Sequence, residues 1–187
     1  KMTKFLATQT GQKLAYSFTK GTGPTVVFLG GFKSDMEGSK AIFLEKWAKK
    51  RNRSFLRFDY SGHGQSTGDF LNLGIGDWFN DTKQIIELTK NNGLILIGSS
   101  MGGWISLLLS RELGSRLKGL ITIAAAPDFT EDSMWKNFTE DQKKEVLNKG
   151  VLYLPSDYGE PYPITRYLIE NGRQNLVLRE PLELTCP

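Results

Sequence analysis

Histidine and cysteine are almost missing: the 187 residues hold one of each, His63 and Cys186. No disulfide framework and no Cys/His zinc site can be assembled from this stretch of sequence. No run of about 18 apolar residues occurs, which argues against a membrane-spanning helix, and residues 1–12 lack the apolar stretch of a secretory signal. Nor is charge of one sign in large excess. Lys plus Arg is 24 against 20 for Asp plus Glu, and a formal charge of +4 does not point to nucleic acid. These absences predict a soluble, cytoplasmic protein with no nucleic-acid partner and no membrane span. Lys1 stands before Met2, which reads as a trimmed or tagged start and leaves room for a removed targeting segment. With 39% apolar and 11% aromatic side chains, what is present suffices for one globular domain and excludes disorder, collagen and coiled coil.

Alternating strand and helix signals organise the chain. Phe5 to Thr8 and Lys13 to Phe18 read as an edge hairpin turning at Gly11. Thr25 to Leu29 is a continuous apolar run, as in a strand buried on both faces of a parallel sheet, and it ends in Gly30-Gly31. Helix signals from Ser39 to about Lys50 come from Ala41, Leu44, Trp47 and Ala48, with Lys49, Lys50 and Arg51 suited to a helix C-terminus. A strand, Ser54 to Tyr60, follows. Ile75, Trp78, Phe79, Thr82, Ile85 and Ile86 form a helical stripe, stopped at Asn92-Gly93. Leu94 to Ile97 is a strand, Met101 to Leu113 a helix, and Gly119 to Ala125 a third apolar strand. The predicted fold class is α/β, a mostly parallel, doubly wound sheet with an N-terminal hairpin.

After Pro127 the texture changes. Residues 128–173 show no buried strand but short helix signals: a capping box at Thr139 to Gln142, a stop at Gly150, and a small helix from Pro163 to Asn171 closed by Gly172. The predicted organisation is a core over 1–127, a helical cap insertion over 128–173 and a return segment over 174–187.

Between strand and helix lies Gly98-Ser99-Ser100-Met101-Gly102, a G-x-S-x-G pentad in a strand–turn–helix setting. Small residues at 98 and 102 permit a tight turn that exposes Ser100 Oγ with strained dihedral angles, so Ser100 is the candidate nucleophile. The helix that begins at Met101 presents unpaired N–H groups where an oxyanion would develop, which makes the Met101 amide one candidate donor. The second comes from Gly30-Gly31-Phe32 at the end of the first parallel strand: the Phe32 N–H, with Gly31 as the alternative. Asp59-Tyr-Ser-Gly-His-Gly64 closes the next strand at the same sheet edge, where α/β proteins place their sites.

These segments together resemble the α/β-hydrolase superfamily, in particular the subgroup of α/β-hydrolase domain protein ten, which holds mitochondrial palmitoyl-protein thioesterases and acyl-glucuronide esterases. The resemblance spans nearly the whole chain. It rests on Gly31 to Met36, on Arg57 to Gly64, on Gly98 to Trp104, and on Leu154-Pro155-Ser156 with Tyr158. It implies a serine hydrolase acting on small-molecule carboxylic esters or thioesters, with Ser100 as nucleophile and the Phe32 and Met101 amides as the oxyanion hole. No cofactor is needed for such chemistry, and no metal. Gly62 to Gly68 misses the dinucleotide G-x-G-x-x-G spacing by one residue, and no P-loop occurs.

One part of that pattern is lacking. The family's triad runs Ser, acid, His along the chain, yet no histidine follows Ser100. In the resembling family a Cys-Pro like Cys186-Pro187 stands just before the strand that leads to the acid. The chain therefore reads as truncated by on the order of 60 residues, at about 30 per strand–helix unit. The alternative is a truncated or degenerate hydrolase without turnover. His before Ser is the wrong order for this fold, so His63 reads as a loop residue, with a substitute base as the alternative. Asp128 reads as opening the cap, with a variant acid as the alternative. Truncation also predicts an open edge on the last strand, favouring homo-oligomers or aggregation. The cluster Lys46, Lys49, Lys50, Arg51 and Arg53 reads as a solvated helix end. Cap residues Phe129, Met134, Trp135, Phe138, Tyr153, Leu154, Tyr158, Tyr162 and Tyr167 either line an acyl pocket or anchor the cap.

Overall fold

Two alternating sets of apolar side chains along one central strand decide how the layers stack. In the computed structural model, which describes residues 3–90, 92–157 and 159–187, strand β3 (Thr22–Leu29) sends Val27 and Leu29 into a large core and Val26 and Phe28 into a smaller one. That is the period-2 alternation of a strand covered on both faces. The six-stranded sheet has the order β1-β2-β4-β3-β5-β6. β1 (Lys4–Ala7) and β2 (Lys13–Thr19) form the predicted antiparallel edge hairpin, and β2 also pairs antiparallel with β4 (Arg53–Phe58). β3, β4, β5 (Leu94–Ser99) and β6 (Leu117–Ile123) are mutually parallel.

The large core lies under α2 (Ile75–Ile85) and α3 (Met101–Leu113). The α2 stripe works as its spacing predicts: Ile75, Trp78, Thr82 and Ile85 are all fully buried. Each large apolar side chain removed from water in this way contributes roughly 1.5–3 kcal/mol. The helix ends at Ile85 and tightens into a 3₁₀ turn, Ile86–Thr89, before Asn92-Gly93 is reached. The opposite face rests on α1 (Ser39–Lys50), which buries Ala41 and Ala48 but leaves Phe43 69% and Trp47 38% exposed. Trp47, one of the four residues whose spacing predicts this helix, is thus only partly covered, and Ile121 on β6 also stands 51% exposed.

Beyond β6 come a π-helical turn (Thr130–Trp135), α4 (Glu140–Lys149), β7 (Val151–Leu154), β8 (Tyr162–Thr165) and α5 (Arg166–Arg173). The capping box is formed, with Thr139 Oγ1 accepting from the Gln142 amide at 3.1 Å, and Gly150 ends α4 at φ 79°. The segment is not purely helical. β7 and β8 pair antiparallel and bury Leu152 and Ile164, so residues 128–173 do contain a buried strand pair. Pro163, expected at a helix start, sits instead in β8 opposite Tyr153. The true N-cap is Thr165, whose hydroxyl accepts from Leu168 N at 2.9 Å, and Gly172 lies inside α5 rather than closing it. Tyr158 lies outside the described residues.

The helix α5 is bound to the core. Asn171 Oδ1 accepts the Gly76 amide of α2 at 2.7 Å, and Tyr167 Oη donates to Asp77 Oδ2 at 2.8 Å. Trp104 Nε1 donates to the Asn175 carbonyl at 2.9 Å. At the far edge β6 has no neighbouring strand among the described residues, and Leu120 N donates to the Pro187 carbonyl at 3.0 Å.

Candidate active site

Ser100 occupies the turn between β5 and α3 with φ 54° and ψ −115°, a left-handed conformation that a serine adopts only when its surroundings impose it. Those surroundings are visible. The Ser100 amide donates to the Ile123 carbonyl at 3.0 Å, and its own carbonyl accepts from Gly103 at 2.9 Å and Ala126 at 3.0 Å. A Cβ at Gly98 would strike the Gly102 carbonyl, and one at Gly102 would strike the Leu29 carbonyl. The crossing of β5, α3 and β3 is thus too close for any side chain at those two positions. Ser100 is half-buried, with Gly31 beside it: a Cβ on Gly31 would lie 3.5 Å from the Ser100 Cβ.

The loop that begins at Gly30 is gripped from the end of β4. Tyr60 Oη donates to the Gly30 carbonyl at 2.9 Å, His63 Nε2 accepts the Lys33 amide at 3.1 Å, and Asp59 Oδ1 accepts the Met36 amide at 2.7 Å. Arg57 Nη1 donates to the Met36 carbonyl at 3.0 Å. Behind it Arg57 Nε pairs with the buried Glu45 at 2.8 Å, and the carboxyl of Glu45 is lowered overall, burial opposing and the Arg57 guanidinium prevailing. Within the loop Ser34 N donates to the Gly31 carbonyl at 3.2 Å, and Lys33 takes a left-handed φ of 61°. Among the described residues the amides of Phe32 and Met101 meet no acceptor within the protein.

The Phe32 ring is the hub of an aromatic cluster. It packs edge-on against Phe70 (5.3 Å between centroids), Phe129 (5.8 Å) and Trp78 (6.2 Å), and against Tyr162 at 6.2 Å. Phe129 and Tyr162 come from the segment after β6, so part of the expected aromatic set holds that segment on the core. Phe138 is buried against Trp135, whereas Tyr153 (56%) and Tyr167 (41%) are exposed. On the other side of Gly31 a polar cleft of ≈180 Å³ is lined by Gly30, Ser34, Asp35, Ser39, Lys40 and Ser99.

His63 and Asp128 are both placed by the structure, and neither meets Ser100. His63 is 4% exposed, and both ring nitrogens are engaged: Nε2 with the Lys33 amide, Nδ1 with the Ser61 carbonyl at 3.1 Å. Burial, reinforced by the charge of Lys33 and opposed by the Ser61 bond, pulls its pKa down to about 4, so the ring is neutral at pH 7. Asp128 is fully buried and accepts the Val177 and Leu178 amides at 2.8 and 2.9 Å. Its carboxylate ties the start of the segment after β6 to Val177 and Leu178.

The sequence profile described as serine aminopeptidase, S33 (Hydrolase_4) matches residues 22–166, which include the loop at Phe32, the Asp59 to Gly64 turn and the serine turn. This chain belongs to that α/β-hydrolase family. A putative hydrolase from Agrobacterium vitis S4 superposes with a TM-score of 0.94 at 34% identity, covering 100% of this chain and 76% of that one. The mouse α/β hydrolase domain-containing protein 10 gives 0.89 at 32% identity, covering 100% of this chain and 75% of that one. In sequence, the chain is 34% identical to the rat mitochondrial palmitoyl-protein thioesterase ABHD10 over 93% of its own length, and 35% identical to the human protein over the same share. It spans 59% and 57% of those two relatives.

Within this α/β-hydrolase frame, sequence reasoning identified the serine turn and the loop at Phe32 but missed what braces them. Tyr60, Asp59, Arg57 and His63 all belong to the segment Arg57 to Gly64 that carried the resemblance. Asp81 was missed as well: buried on α2, it accepts from Ser61 N at 2.8 Å and Ser61 Oγ at 2.6 Å. Its only sequence signal is an acid on the apolar side of an amphipathic helix.

Proposed function

We propose that the protein is a serine hydrolase of carboxylic esters or thioesters. Ser100 Oγ attacks the acyl carbonyl and the amides of Phe32 and Met101 receive the tetrahedral oxyanion; its collapse breaks the bond to the alcohol or thiol, which leaves with the serine proton, and water then hydrolyses the acyl-enzyme to the free acid. The observation that carries this reading is a strained, half-buried serine beside a loop and a helix start whose amides, at Phe32 and Met101, have no acceptor among the described residues. The thioesterase name of the ABHD10 relatives supports the acyl-transfer class. On this reading residues 128–173 form a cap over a core of 1–127, with 174–187 returning to the sheet. A small-molecule acyl ester or thioester is the substrate.

A second reading, a degenerate hydrolase without turnover, is favoured by one observation. Ser100 needs a general base, and both ring nitrogens of His63, the one histidine among these 187 residues, are engaged elsewhere. Labelling with a fluorophosphonate probe separates the two. Label that appears on the parent and vanishes in Ser100→Ala supports the hydrolase, and an unlabelled parent supports the second reading. Cytoplasmic residence is likewise proposed, and cell fractionation checks it against the mitochondrial name that the relatives carry.

A further inference from the structure

We propose that His63 is a positioning residue for the oxyanion hole: by accepting the Lys33 amide at Nε2, it fixes the peptide plane adjoining Phe32 and so aims the Phe32 N–H at the Ser100 site. The inference rests on the serine-hydrolase reading given above.

The lone imidazole is buried, yet it is neither acid nor base toward Ser100. An imidazole taken out of water needs both nitrogens satisfied. The partners dictate the tautomer. Nε2 faces an N–H and must be the unprotonated acceptor, so Nδ1 carries the proton and donates to the Ser61 carbonyl. Ser61 is itself immobilised: Asp81 holds its amide and hydroxyl at 2.8 and 2.6 Å, and Trp78 Nε1 donates to its carbonyl at 3.0 Å. A rigid chain therefore runs from α2 through Ser61 and His63 to the amide of Lys33. The ring faces Tyr60, Phe70 and Trp78 at 5.0 to 5.5 Å, which leaves it no room to turn.

Lys33 needs that hold. Its φ of 61° is costly for a residue with a Cβ, about 1–2 kcal/mol, and such a conformation persists only where neighbours determine it. The Phe32 N–H belongs to the peptide plane between Gly31 and Phe32. The carbonyl of that plane accepts from Ser34 N, so the N–H points the opposite way. The plane before it is held by Tyr60 at the Gly30 carbonyl and the plane after it by His63 at the Lys33 amide. A donor locked between two fixed planes meets developing charge without reorganising, which is the requirement for an effective oxyanion hole.

The first test needs no variant. Imidazole ¹⁵N spectra of the full-length protein at pH 7 are expected to show His63 protonated at Nδ1 and unprotonated at Nε2, and the opposite tautomer overturns the proposal. The second uses two isosteres. In His63→Gln the side-chain oxygen reaches the Nε2 position and still accepts the Lys33 amide. In His63→Asn the shorter amide keeps only the Nδ1 position. Expected for His63→Asn is a loss of about 100-fold in kcat on an activated ester with KM unchanged, together with faster hydrogen exchange at the Lys33 amide. His63→Gln restores most of the rate and of the protection. Equal losses in the two variants, or unchanged Lys33 exchange in His63→Asn, mean that the ring only fills space and overturn the proposal. A parent that fails to label at Ser100 overturns the hydrolase reading, and the positioning role with it, while tautomer and exchange still report the brace itself.

Discussion

The hydroxyl of Tyr60 donates to the carbonyl of Gly30 across 2.9 Å, joining the end of β4 to the backbone that enters the loop at Phe32. Tyr60 is 2% exposed, and burial, with the Asp81 charge adding to it, raises its phenol so that it stays protonated. Tyr60→Phe keeps the ring and removes only the donor. Its expected cost is about 1 kcal/mol, equivalent to a fall of about 2–4 °C in Tm for a chain of this size. A thermal melt indistinguishable from the parent contradicts the bond's role.

Strain at Ser100 gives a second expectation. Ser100→Ala and Ser100→Gly both remove the proposed nucleophile and are expected to abolish fluorophosphonate labelling. They differ in stability, because alanine keeps the penalty of a left-handed φ and glycine does not. Ser100→Gly is expected to unfold at higher urea than Ser100→Ala, by about 1 kcal/mol once the extra flexibility of unfolded glycine is offset. Equal midpoints would show that the turn is not strained.

Asp81 and His63 respond to acid in opposite senses. Burial, against two bonds from Ser61, raises Asp81 from 3.8 to about 6, and burial lowers His63 from 6.5 to about 4. For Asp81 the folded value exceeds the unfolded one, so its destabilisation is complete above pH 6 and is relieved as pH falls toward 4. For His63 the folded value is the lower, so its destabilisation is absent above about pH 6.5 and complete below pH 4. Between pH 6 and 4 the two oppose each other. Relative to the parent, Asp81→Asn should lose roughly 2–3 kcal/mol more on going from pH 7 to 4.5, and His63→Gln should lose correspondingly less. Urea midpoints at the two pH values measure both, and shifts of the same sign in the two variants refute the assignment.

Asp128 is a buried anchor, and its removal should be felt at a distance in sequence. Asp128→Ala leaves the Val177 and Leu178 amides without their acceptor, an expected cost of about 2–4 kcal/mol. Asp128→Asn loses less, because one acceptor remains and asparagine tolerates the φ of 55° at this position. Limited proteolysis should cut the alanine variant first within residues 174–181, and unaltered cleavage there argues against the tie.

Much of the fold was legible because its signals are local. The stripe Ile75, Trp78, Thr82 and Ile85 announces α2, and glycines at 98 and 102 around a central serine announce the tight turn between β5 and α3. The β7–β8 hairpin was not legible, since each strand is four residues long and Pro163 suits a helix start as well as it suits a strand. The brace was invisible for another reason. His63, Ser61 and Asp81 act on Lys33 only because β4 lies beside β3 in the sheet, and no spacing along the chain encodes that neighbour relation.

The bonds from α5 to α2 and from Trp104 to Asn175 bear on how molecules would reach Ser100. A segment riveted to the core along a helix, and pinned again by Phe129 and Tyr162 against Phe32, behaves as masonry rather than as a door. Swinging it aside would mean breaking those bonds together and exposing an aromatic cluster to water. Traffic to the serine must then use the gaps left in a standing wall, and the width of those gaps, rather than the tempo of any opening, would decide which molecules pass.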